Sequence, residues 1–62
     1  MSRTQQQRRE ETIGKLLDAT IASLCESGYA ATTVNEITSR AGVSSGALFR
    51  HFPTRLDVVV AA

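Results

Sequence analysis

The sequence contains no tryptophan, one tyrosine, one proline and one cysteine in 62 residues. A lone cysteine, Cys25, cannot close an intramolecular disulfide, which excludes a disulfide-stapled scaffold and fits a reducing compartment. Cys25 and the single histidine, His51, do not make a four-ligand set, so no metal is expected. Long hydrophobic runs are missing too. The longest covers residues 58–62, against the ~20 residues of a membrane helix, and no membrane partner is expected. The basic N-terminus is followed by Glu10 and Glu11 rather than by the apolar stretch of a signal peptide, so a cytoplasmic location is expected. His51 has neither a paired nucleophile nor a second carboxylate near it in sequence, so neither an enzyme nor a cofactor is expected.

What is present is an ordinary globular composition, 42% apolar and 21% charged, richer in core-forming residues than a disordered chain. The length allows one small domain, which buries only ~60% of the surface its unfolded chain exposes and has few apolar residues to spare for a ligand cavity. The net charge of +1 conceals segregation. Residues 1–9 carry Arg3, Arg8 and Arg9 with no acid, for +3. Residues 10–39 set Lys15 against Glu10, Glu11, Asp18, Glu26 and Glu36, for −4, and residues 40–62 set Arg40, Arg50 and Arg55 against Asp57, for +2. A fold that brings the two basic ends to one face would meet a polyanion; solvated surface charge is the plainer alternative.

Apolar positions at Ile13, Leu16, Leu17, Ile21, Leu24 and Cys25 draw a helical stripe, and Gly28 ends it, which predicts a first helix over about 9–27. Cys25 falls on that stripe and reads as a small core hydrophobe. Residues 1–8 have no apolar anchor beyond Met1 and read as a basic, flexible arm, although Thr4 and Gln7 have weak capping-box spacing. Thr33 and Glu36 form a second such box, opening a helix that buries Val34, Ile37 and Ala41 and stops at Gly42. Ser44 caps a third helix over about 45–51, with Leu48, Phe49 and Phe52 as its stripe before Pro53. Thr54 and Asp57 open a fourth helix, carrying Val58, Val59 and Ala62.

Two short helices joined through Ala41, Gly42 and Val43 make a helix-turn-helix pattern. Gly42 turns the chain, Ile37 and Leu48 hold the helices together, and Val43 plugs the angle between them. The tip of the third helix, Ser45, Gly46 and Ala47, is then small and outward, suited to a major groove about 12 Å wide. A three-helix bundle that merely packs is the alternative.

The residues GY at 28–29, ATTVNEIT at 31–38 and RAGVSSGALFRHFPTRLD at 40–57 resemble the N-terminal DNA-binding domain of the TetR family of bacterial transcriptional regulators, over about Leu16 to Ala62. The resemblance implies an all-α fold: a three-helix helix-turn-helix bundle over 9–62 with the start of a fourth, linking helix. It also implies a homodimeric, ligand-released repressor, with a larger C-terminal domain, absent here, that dimerises and binds a small-molecule inducer. The implied partner is double-stranded DNA carrying an inverted repeat.

Within that resemblance, Ser45, Gly46, Ala47 and Asn35 are expected at base edges, simple solvation being the alternative for Asn35. Arg50 is expected to take both acceptors of a guanine, a phosphate contact or simple solvation being its alternatives. Thr33, Ser44, His51 and Arg55 are expected at backbone phosphates. The chain departs from the family at Phe49, where a tyrosine hydroxyl commonly meets a phosphate, and at Thr20 and Thr38, where alanine is usual and slightly looser packing is expected. A protein-docking module using residues 58–60 or the Tyr29 and Phe52 surface is the rival from another functional class.

Overall fold

The computed structural model describes residues 4–62. It has four helices, α1 (Gln5–Ser27), α2 (Val34–Ala41), α3 (Ser45–His51) and α4 (Arg55–Ala61), and no strand among the described residues. The 23 residues of α1 run about 35 Å at 1.5 Å per residue. That helix sets the 39 Å long axis of the molecule. The three short helices pack along it, α2 and α4 most closely, while α3 docks on α2 and reaches α1.

Each helix begins at a hydroxyl cap, as the spacing predicts, but one start and one cap differ from expectation. α1 starts at Gln5 rather than near residue 9 because the Thr4–Gln7 box is fully made: the Gln7 N–H donates to Thr4 Oγ1 and the Thr4 N–H to Gln7 Oε1, each at 3.1 Å. Two orphan N–H groups are thereby satisfied without any apolar anchor, and residues 5–8 leave the expected arm for the helix. Residues 1–3, with Arg3, lie outside the described residues. The Thr33–Glu36 box is only half made. Thr33 Oγ1 accepts the Glu36 N–H at 3.1 Å, but the Glu36 carboxylate turns to Arg40 Nε at 2.7 Å.

The core is Leu16 and Ala19 from α1, Ile37 from α2, Leu48 from α3 and Val58 from α4, the larger side chains each worth roughly 1.5–3 kcal/mol on full burial. Val34, Ala41, Val43, Phe52 and Val59 pack against it. The buried face of α1 keeps Leu16 of the expected stripe, with Ile13, Leu17 and Leu24 half-buried, but departs from it at Ile21 and Cys25. It runs through Leu16, Ala19, Thr20 and Ser23, leaving Ile21 46% exposed and Cys25 on the surface, so Cys25 is not a core hydrophobe. Hydroxyl residues take its place because their polar atoms are satisfied. Thr20 Oγ1 donates to the Leu16 carbonyl at 2.7 Å. Thr32 Oγ1 donates to the Gly28 carbonyl at 2.7 Å, which leaves Ser23 to donate to Thr32 Oγ1 at 2.9 Å. Thr38, also buried, bonds the Asn35 carbonyl at 3.1 Å. Thr20 and Thr38 each tie their hydroxyl to a carbonyl of their own helix, and no buried side-chain N or O among the described residues lacks a partner.

Two glycines are required by the backbone. Gly28, at φ 82° and ψ 177°, occupies a region essentially closed to other residues. Gly42, at φ 70° and ψ 31°, is left-handed, and the next N–H, from Val43, closes back onto the Thr38 carbonyl at 3.2 Å, a Schellman-type end to α2.

Candidate nucleic-acid interface

The Gly42 corner sets α3 against α2, with Ile37 and Leu48 fully buried on the inner side and Val43 half-buried between them. The outer side then carries the candidate contact residues. Ser45 and Gly46 are exposed and Ala47 is half-buried on the first turn of α3. Ser44 Oγ accepts the Ala47 N–H at 3.1 Å, capping that turn. A Cβ added at Gly46 would meet only Ser44 Oγ, at 3.8 Å, so the glycine leaves room outside the protein rather than inside it. Asn35 and Thr33 are exposed at the start of α2. Because Glu36 points to Arg40, the Thr33 N–H lacks the carboxylate that a complete box would supply, and α2 opens with an available donor.

Arg50 and His51 end α3, where the Arg50 cation suits the partial negative charge of the helix terminus. They do not stand alone. Gln5, Arg8, Arg9 and Thr12 of α1 and Ala47, Arg50 and His51 of α3 line a cleft of about 320 Å³. The sequence reads as a basic, flexible arm over residues 1–8 and gives these α1 residues no place in the site; the signal is that, with the helix extended to Gln5, positions 5, 8, 9 and 12 follow the spacing of one helical face.

Arg55 is engaged within the protein. Its guanidinium lies 4.2 Å from the centroid of the Tyr29 ring, and its Nη1 donates to the carbonyls of Tyr29 and Thr32, both at 3.3 Å. It braces the loop that leads into Thr33. Arg40 is likewise engaged, bridging Glu26 at 2.6 Å and Glu36 at 2.7 Å. The hydrogen bond from Arg40, then its charge, holds the Glu26 carboxyl below its ordinary range, and the same bonds raise the guanidinium of Arg40.

Phe49, expected on the stripe of α3, is 46% exposed, while Phe52 is half-buried against the core. Of the valines that the rival docking surface would use, Val58 is buried and Val59 half-buried, leaving Val60 at 74% exposure. No helix among the described residues is long and apolar enough to cross a membrane, and no group of three or more His, Cys, Asp or Glu among them is placed to hold a metal ion.

Comparison with known proteins bears on this geometry. An uncharacterized HTH-type transcriptional regulator of Mycobacterium tuberculosis is 59% identical over 61 residues, which is 98% of this chain and 31% of the relative. The HTH-type transcriptional repressor KstR of Mycolicibacterium smegmatis is 36% identical over 61 residues, 98% of this chain and 28% of its own. The HTH-type transcriptional activator FasR of the same species is 40% identical over 53 residues, 86% and 24% respectively. The chain thus spans about a third or less of the length of the curated relatives it matches. No solved structure matches it. The family model described as bacterial regulatory proteins, tetR family, matches residues 16–62, the span that holds the Gly42 corner, the α3 tip and most of the core. The chain belongs to the TetR family of bacterial regulatory proteins.

Proposed function

We propose that the chain is the DNA-binding head of a ligand-released transcriptional repressor, placing α3 in the major groove of double-stranded DNA. The observation that carries this is the Gly42 corner, which buries Leu48 and Ile37 and leaves the first turn of α3 small, with Ser45 and Gly46 exposed and Ala47 half-buried beside them. A helix 10–12 Å across fills a groove about 12 Å wide, so a tip without bulk is what close approach demands. In this reading Ser45, Gly46 and Ala47 meet base edges, with Asn35 beside them from α2. Thr33, Ser44, His51 and Arg50 face phosphates, and Arg55 acts indirectly by holding the loop before Thr33.

The full-length regulator is a homodimer in this proposal. Its two heads sit about 34–36 Å apart or a multiple of that, on an inverted repeat, and a small-molecule inducer acts through the C-terminal part. The name of KstR supports repression and that of FasR records activation in a relative. The test is a titration of the labelled 62-residue chain with a mixed-sequence duplex at about 50 and 200 mM salt, following backbone amides. Salt-sensitive shifts at Thr33, at residues 44–47 and at Arg50 and His51 are the expected result. Shifts confined to Val60 and its neighbours, unchanged by salt, would assign the chain to protein docking instead.

A further inference from the structure

The described arginines fall into two groups. Arg40 is committed to Glu26 and Glu36, and Arg55 to Tyr29 and the Thr32 carbonyl. Among the described residues, Arg8, Arg9 and Arg50 have no ion pair and no side-chain hydrogen bond, and all three line the one cleft between α1 and α3. His51 shares its wall, and no carboxylate lines it. Three guanidiniums gathered without an anion repel one another, and an oxyanion seated among them reverses the sign of that interaction.

We propose that this cleft seats a backbone phosphate of the DNA, with Arg8, Arg9 and Arg50 as its ligands, which makes α1 a third DNA-contacting element. The proposal rests on the DNA-binding function above. The cleft shares Ala47 with the base-reading turn, so a strand passing the tip of α3 runs directly onto it. Arg8, Arg9 and Thr12 precede the residues matched by the family model. Arg8 and Arg9 are not held in an extended arm. They are helical, and a helix 10–12 Å across does not enter a groove about 6 Å wide. Arg50, expected from the sequence to read a guanine, serves here as a phosphate ligand.

The test compares the parent chain with Arg8→Ala/Arg9→Ala and Arg8→Lys/Arg9→Lys, measuring affinity for mixed-sequence duplexes across a salt series and helicity by circular dichroism. The alanine pair is expected to lower the slope of log K against log salt by about one to two units and to weaken every duplex alike, while the lysine pair keeps most of the slope. Arg50→Ala is expected to lose affinity equally on all sequences; a loss confined to one base pair would overturn its assignment as a phosphate ligand. Salt-dependent binding by the parent with an unchanged slope in the alanine pair would overturn the cleft alone. Absence of salt-dependent binding by the parent would remove the DNA-binding function and the cleft together. A titration with inorganic phosphate separates the sources of the anion. Shifts at Arg8, Arg9 and Arg50 with that ion, together with an unchanged duplex slope, would mean a free anion and would overturn the DNA assignment.

Discussion

Arg55 lies over the ring of Tyr29, with its guanidinium carbon 4.2 Å from the ring centroid, and ties the end of the loop between α1 and α2 to the start of α4. Replacing Arg55 with alanine is expected to lower stability by about 1 kcal/mol, the scale of an exposed cation–π contact with two long hydrogen bonds. The thermal midpoint should fall by roughly 4–8 °C. Duplex affinity should drop with it, but the salt slope should not move. A slope lower by about one unit would instead place Arg55 on a phosphate.

Gly46 stands where helix stability and DNA approach have opposite demands. Its backbone is helical and a Cβ there meets nothing closer than 3.8 Å, so Gly46→Ala should stabilise the fold by about 0.5–1 kcal/mol. Affinity for duplex should fall in the same variant. Thermal unfolding and a binding titration on one preparation check both signs, and an unchanged affinity would mean that α3 does not approach DNA at this residue.

Phe49 exposes nearly half its surface on α3. Phe49→Tyr adds a hydroxyl without disturbing the core and should tighten duplex binding by about two- to tenfold, the worth of one hydrogen bond of 0.5–1.5 kcal/mol. Titrations of the two proteins at one salt concentration check it.

The Glu26–Arg40 pair makes a pH prediction. The folded-state pKa of Glu26 is lowered, by the hydrogen bond to Arg40 and then by its charge. Its contribution to stability is therefore complete above the unfolded value of ~4.3 and is lost as pH falls through the depressed folded value. Glu26→Gln should melt below the parent at neutral pH, and the two midpoints should converge in acid. The gap should also narrow at high salt, because the pair is at the surface. Melting curves across pH at two ionic strengths measure this.

The parts of the fold written in short-range chemistry were legible. Thr33, Ser44 and Thr54 start their helices, and Gly28 and Gly42 end theirs, because a cap depends on residues three or four positions away. The buried face of α1 was not. Hydropathy ranks Ile21 and Cys25 above Thr20 and Ser23, and only the bond between Ser23 and Thr32, nine residues on, shows why the hydroxyls go inside. The tip of α3 was legible from its small residues. The bracing role of Arg55 was not legible because its partners lie 23 and 26 residues away. Arg8 falls in the stretch that reads as a loose arm because the Thr4–Gln7 box is weak by spacing alone, and the meeting of Arg8 and Arg9 with Arg50 exists only once α3 packs on α1.

The buried hydroxyls have a calorimetric consequence. Four polar residues, Thr20, Ser23, Thr32 and Thr38, share the interior with five aliphatic ones. Unfolding exposes hydrocarbon, which raises heat capacity, together with polar groups, which lower it. This interior should therefore give an increment below the usual ~12–15 cal/mol/K per residue. Its stability curve is correspondingly shallow, and the fold loses little of its margin on cooling.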